Sequence, residues 1–242
     1  MALKNTTSTK LRRMAGRVML WLTLDIILLV SLFGIEFSPL AKPFWWKNVY
    51  SVATNVLTGG LVSFFFYWLV VYLPEHRKRR IFKNNLSKMY NRIKRNILYQ
   101  VIVASIKGGR RDLQADLDTI ENLMTPKAFK EAFTGGREAD EGFYAFENQM
   151  SGDTPEFREI ILNLEMLAKQ IEFVLHNYSI DDENLFDFFK RLELVLLSLR
   201  RSSPGYDESK PLCSFVYEMF SGFNLIDGYR GYDVIDKMIA DI

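Results

Sequence analysis

The stretch VVYLPEHRKRR, Val70 to Arg80, passes from aliphatic side chains to nearly continuous positive charge, with Pro74 at the seam. Taken alone, Arg77 to Arg80 fits a nuclear address, a nucleic-acid patch, a protease site or the cytoplasmic foot of a membrane helix. What precedes it selects the last. From Val49 to Leu73 the chain reads VYSVATNVLTGGLVSFFFYWLVVYL, and from Val18 to Phe37 it reads VMLWLTLDIILLVSLFGIEF. Both reach the roughly 20 residues that a helix needs to cross a bilayer. The sequence therefore predicts two transmembrane spans, 18–37 and 49–73, forming a hairpin. No small-x-small cleavage site follows the first, which sets aside a removable leader.

Charge orients the hairpin. Five basic residues and no acid precede the first span, Lys42 and Lys47 lie between the spans, and nine basic residues crowd Arg77 to Arg95. The positive-inside rule puts both termini in the cytoplasm, and the expected location is an inner membrane of the bacterial kind. The connector SPLAKPFWWKN suits a short external turn: Pro39 and Pro43 interrupt a helix, and Trp45 and Trp46 belong at headgroup level.

The charge is split along the chain. Residues 1–107 hold 17 Lys and Arg against Asp25, Glu36 and Glu75, a net of +14, whereas residues 108–242 carry a net of −12. The single cysteine, Cys213, excludes an internal disulfide framework, and with only His76 and His176 beside it a structural zinc cage lacks ligands.

Within the spans four polar residues stand out: Asp25 in the first, Asn55, Ser63 and Tyr67 in the second. An ionised carboxylate at that depth costs about 2.5 to 3.5 kcal/mol on insertion scales unless it is paired, so Asp25 is expected to face protein, with Ser63 and Tyr67 as donors from similar depth. The polar run from Thr54 to Ser63 reads as glue between helices rather than as an ion path.

After Pro74, Phe82, Leu86, Met89, Ile93, Ile97, Val101 and Ala104 fall three and four apart, which predicts a basic amphipathic stalk over 74–107. Its first turns, Arg77, Lys78, Arg79, Arg80 and Lys83, read as a collar attracting anionic lipid headgroups. Nucleic acid is disfavoured because the acidic half would repel a phosphate backbone. The stripe either pairs between subunits or docks on the globular domain; Tyr90, Leu98 and Ile102 broaden it beyond a strict seam, which favours docking.

An acidic, all-α domain is expected over 108–242, behind the basic N-terminus 1–17, the hairpin 18–73 and the stalk. Gly108 and Gly109 stop the stalk helix, and Thr134 to Glu138 (TGGRE) stops a later one. Thr125-Pro126 and Thr154-Pro155 open helices to about Phe133 and Tyr178, each with a threonine cap and proline at the first position. Asp181 and Asp182 cap ENLFDFFKRLELVLLSLRR, apolar on most sides and so expected as the central helix. Two shorter helices, from Pro211 to Gly222 and from Gly231 to Ile242, close the domain; residues 136–153 are the most loop-like stretch, and no strand pattern competes.

No nucleophile elbow, phosphate loop, HExxH or dinucleotide fingerprint occurs. His176 with Cys213 is read as two packed core residues rather than a thiolate pair, and Asp112, Asp116, Asp118 and Glu121 as a solvated acidic surface rather than a cation site. DGYRGYD, with Tyr229, Arg230 and Tyr232, is read as turn chemistry. No catalytic, cofactor-binding or metal-binding residue is therefore assigned, and no cofactor is expected. The leading functional expectation is an integral membrane protein with a cytoplasmic interaction or regulatory domain, with anionic headgroups and an unidentified protein as partners. A homo-oligomer stays open. Second comes an oligomeric two-span effector altering permeability in stress or defence, and third an enzyme with an unrecognised site.

Overall fold

A computed structural model describes residues 6–39, 43–133, 152–178, 180, 182–224 and 228–242. They are helical apart from connecting turns and one short β ladder, so the all-α reading stands. The chain divides into two compact units, Met1–Arg80 and Ile81–Ile242.

In the first unit α1 (Thr6–Phe37) is followed by α2 (Trp46–Tyr67). The two pack antiparallel, as the pairs Glu36 with Trp46, Phe33 with Tyr50 and Asp25 with Gly60 require. The inner face of α1 is the half-buried row Leu22, Asp25, Leu29, Leu32 and Glu36, at helical spacing; α2 answers with Tyr50, Leu57, Leu61 and Phe64. Most of the other described side chains of the two helices are outward and apolar. Two helices are long and apolar enough to cross a membrane, and none of the 18-residue window Leu20–Phe37 is buried.

Pro74 does not end the second helix. A π-helical turn, Trp68–Tyr72, comes first, and α3 (Leu73–Lys107) follows without a break. Proline removes one donor and crowds the carbonyl four residues earlier. The extra residue of the π turn takes up that mismatch, with Leu73 N–H donating to the Trp68 carbonyl.

In the second unit, α3 supplies Leu86, Tyr90, Ile93, Ile97, Leu98, Val101 and Ile102 to one continuous core. The compact unit thus begins at Ile81 rather than Gly108, because the stalk's apolar stripe is itself core. Gly108 and Gly109 terminate α3 as their sequence suggests: Gly109 takes φ +106°, and Arg110 N–H reaches back to the Ser105 carbonyl. Then come α4 (Leu117–Leu123), α5 (Pro126–Ala132), α6 (Pro155–Asn177), α7 (Glu183–Leu199), α8 (Tyr206–Ser221) and α9 (Val234–Asp241).

The caps explain the starts. Thr154 accepts from Phe157 N–H, Asp182 from the N–H groups of Asn184 and Leu185, and Asp116 from Thr119 N–H. Helix α8 starts five residues before Pro211, so that proline lies inside it, a departure from the expected boundary. A two-residue ladder, Phe223–Asn224 against Gly228–Tyr229, joins α8 to α9; strands so short carry no alternation to read. Gly222 must be glycine there, at φ +65° with the Tyr232 carbonyl 2.9 Å from where a Cβ would stand.

Helix α7 is not enclosed, contrary to the expectation of a central helix. It buries Leu185, Phe189, Leu192, Leu196 and Leu199 against α6 and neighbours, but leaves Phe186, Leu194 and Leu197 exposed. The TGGRE stop and residues 136–151 lie outside the described residues.

Candidate functional site

A buried polar cluster sits inside the second unit. Tyr90 and Lys94, one turn apart on α3, point inward among Ile93, Ile97 and Leu98; Tyr90 has no exposed surface and Lys94 is 2% exposed. They meet Asp233, the N-cap of α9. Asp233 Oδ1 accepts from Ile235 N–H at 2.9 Å, and Oδ2 accepts from the Tyr90 hydroxyl and the Lys94 ammonium, both at 2.6 Å. Asp236 Oδ2 lies 3.6 Å from the same ammonium. The rings of Tyr90 and Phe220 approach Lys94 Nζ with centroids at 5.8 and 5.6 Å, favourable for a desolvated cation.

The electrostatics follow from burial. Loss of hydration, then the neighbouring Asp233 carboxylate, push the Tyr90 phenol well above its ordinary value. It remains a donor throughout the physiological range. Asp236 is also raised, by burial first and by Asp233 second, with Lys94 partly opposing. A surface groove of about 440 Å³ opens beside the cluster between Met124, Tyr232, Asp236 and Lys237. Both carboxylate oxygens of Asp233 are engaged, so the cluster fastens α9 to α3. Lys83 adds a second tie, donating to the Ala240 carbonyl.

Sequence reasoning counted Lys94 in the basic run Arg77 to Arg95 and missed this role. The available signal was its register: Tyr90, Lys94, Ile97 and Val101 recur at three- and four-residue spacing, placing a lysine on the apolar stripe.

The assigned intramembrane residues separate. Asp25 is half-buried and faces α2 at Gly60, its Oδ2 3.0 Å from where a glycine Cβ would stand. Asn55, Ser63 and Tyr67 are exposed. Asp25 therefore packs against backbone at Gly60, not against the two hydroxyls. Of the collar, Arg77, Lys78 and Arg80 are exposed, while Arg79 and Lys83 are half-buried.

Other candidates resolve into structure. Cys213 is enclosed in the core, whereas His176 is exposed with Nδ1 2.8 Å from the Glu172 carbonyl oxygen. Asp112 pairs with Arg110, Asp116 caps α4 and Glu121 lies 3.5 Å from Arg95. Among the described residues no group of three or more His, Cys, Asp or Glu side chains is arranged to hold a metal ion. Arg230 of the DGYRGYD turn lies 3.3 Å from Glu218, and its N–H donates to the Gly222 carbonyl.

Comparison with family models, with curated proteins and with solved structures finds no match to this chain.

Proposed function

We propose that this chain is an integral membrane protein in which the α1–α2 hairpin is the anchor and the helical unit from Ile81 is a cytoplasmic interaction or regulatory domain. One observation carries the reading. The apolar side chains of Leu20–Phe37 and of the second span stay exposed, including Trp21, Ile27, Val56 and Phe66, while the second unit has a core of its own. Exposed apolar surface of that extent needs a hydrocarbon solvent.

Orientation comes from charge. The basic residues before the first apolar span, Lys4 to Arg17, and the run from Arg77 to Arg95 hold both termini inside, in an inner membrane of bacterial type, and Arg77, Lys78, Arg79, Arg80 and Lys83 lie against anionic headgroups. The Lys94 cluster supports a domain that transmits or binds rather than one that turns over substrate: its charges are spent on joining helices. Apolar side chains left outward on α6 and α7, such as Phe173 and Leu194, support the interaction role.

Alkaline carbonate extraction combined with a reporter fused after Ile242 tests this. The protein is expected to stay in the pellet and the fusion to be active only in its cytoplasmic form. Release into the supernatant, or activity outside, rejects the reading.

A further inference from the structure

Helix α2 has two faces of different chemistry. Its inner face, Trp46, Tyr50, Ala53, Leu57, Leu61 and Phe64, is half-buried. At about 100° per residue the direction opposite that row contains Asn48, Ser51, Asn55, Gly59 and Val62, and all five are exposed. Asn48, Asn55 and Val62 follow at steps of seven, the spacing that keeps a helix on one side of a partner helix.

Asn55 is the anomaly. It stands nine residues into α2, about 14 Å along the axis from Trp46, in the apolar stretch, and among the described residues no protein group hydrogen-bonds to its carboxamide. In hydrocarbon an unpartnered amide is costly, and lipid tails offer it nothing. Lysine and arginine near a span can reach the headgroups; asparagine is too short to do so.

We infer that this outward face of α2 is a homodimer interface, with Asn55 bonded to Asn55 of a second copy of the chain. The inference rests on the hairpin reading above. Three features select a second copy as the occupant. Every copy inserts with the same topology, so two α2 helices run parallel and Asn55 meets its equivalent at equal depth. A carboxamide carries both donors and an acceptor, so it complements itself, which Asp25 does not. Gly59 and Ser51, on the same face, have side chains small enough for the backbones to approach, and Asn48 repeats the pairing one heptad outward. Asp25 lies on the other side of α2, packed within its own hairpin at Gly60, and takes no part.

The test counts subunits of the full chain in lipid vesicles by photobleaching a single C-terminal fluorophore while the protein-to-lipid ratio is lowered. Two bleaching steps are expected for the unaltered chain. Asn55→Ala is expected to raise the dissociation constant about three- to thirty-fold, the range of interhelical hydrogen bonds in membranes, while Asn55→Gln stays near the unaltered value. An independent variant, Val62→Cys, is expected to form a disulfide-linked dimer in membranes, whereas Leu57→Cys on the inner face is not. Single bleaching steps from membrane-integrated protein at every ratio, or an Asn55→Ala dissociation constant equal to that of the unaltered chain, overturn the dimer; bare lipid or another protein's helix then covers the face. Failure of the unaltered chain to resist carbonate extraction overturns the hairpin itself and is distinguishable from both.

Discussion

Lys94 and Asp233, 139 positions apart in the chain, meet at 2.6 Å in the interior of the second unit, and Asp233 simultaneously caps the helix that Lys94 holds. A buried ion pair of this kind contributes little over an apolar substitute, yet removing Asp233 leaves the buried Lys94 only the part-exposed Asp236 carboxylate at 3.6 Å. Asp233→Asn is therefore expected to cost about 3 to 5 kcal/mol of unfolding free energy, measured by urea denaturation of the detergent-solubilised chain. Tyr90→Phe removes one hydrogen bond to the same carboxylate and is expected to cost about 1.5 to 3 kcal/mol. The double change Lys94→Met with Asp233→Asn should recover much of the loss, because the fully buried lysine charge is removed together with its partner. A double variant as unstable as Asp233→Asn alone would deny the coupling.

Asp236 sets a pH dependence of definite sign. Its folded value is raised, by burial and by Asp233, so its protonated form favours the folded state. That contribution is fully present below the ordinary carboxylate value of about 4 and is lost as pH rises through the raised one. Asp236→Asn should remove this loss and flatten the stability profile between that range and neutrality. Asp112 has the opposite sign: hydrogen bonds from Arg110 hold it down at about 2, so its contribution is present above the ordinary range and disappears as pH falls through that value. Exposure and salt keep it small.

Gly60 is expected to be intolerant of side chains. A Cβ there would stand 3.0 Å from Asp25 Oδ2, so Gly60→Val must push the carboxylate outward. On insertion scales that exposes a group costing about 2.5 to 3.5 kcal/mol at depth. Thermal unfolding in detergent should show a loss for Gly60→Val that largely disappears in the background Asp25→Ala. A full loss in both backgrounds would mean that Gly60 serves something other than Asp25.

Much of the helical framework was legible because its signals are local. Thr154-Pro155, Asp182 and the Gly108-Gly109 stop are decided by residues within one turn, and each appears where a cap or a positive φ is required. The docking of the stalk could be anticipated from the breadth of its stripe, since Tyr90, Leu98 and Ile102 need more than a narrow seam. Lys94 could not be placed, because what makes it a core residue is Asp233 at the far end of the chain. The passage of the helix through Pro74 could not be anticipated for a related reason: the π turn Trp68–Tyr72 that accommodates the proline carries no local mark in its apolar sequence. Asp25 was read as facing protein beside Ser63 and Tyr67, whereas its neighbour at that depth is Gly60, which offers room rather than a hydrogen bond.

The central claim, that α1 and α2 form a membrane hairpin with its turn outside and its domain inside, is tested most directly by cysteine labelling in intact cells. Phe44, in the turn between the helices, is fully exposed, and Lys88 is exposed on α3; native Cys213 is buried and stays silent. A membrane-impermeant maleimide should label Phe44→Cys in intact cells and Lys88→Cys only after permeabilisation. Labelling of Lys88→Cys in intact cells, or protection of Phe44→Cys until lysis, would contradict the hairpin and its orientation.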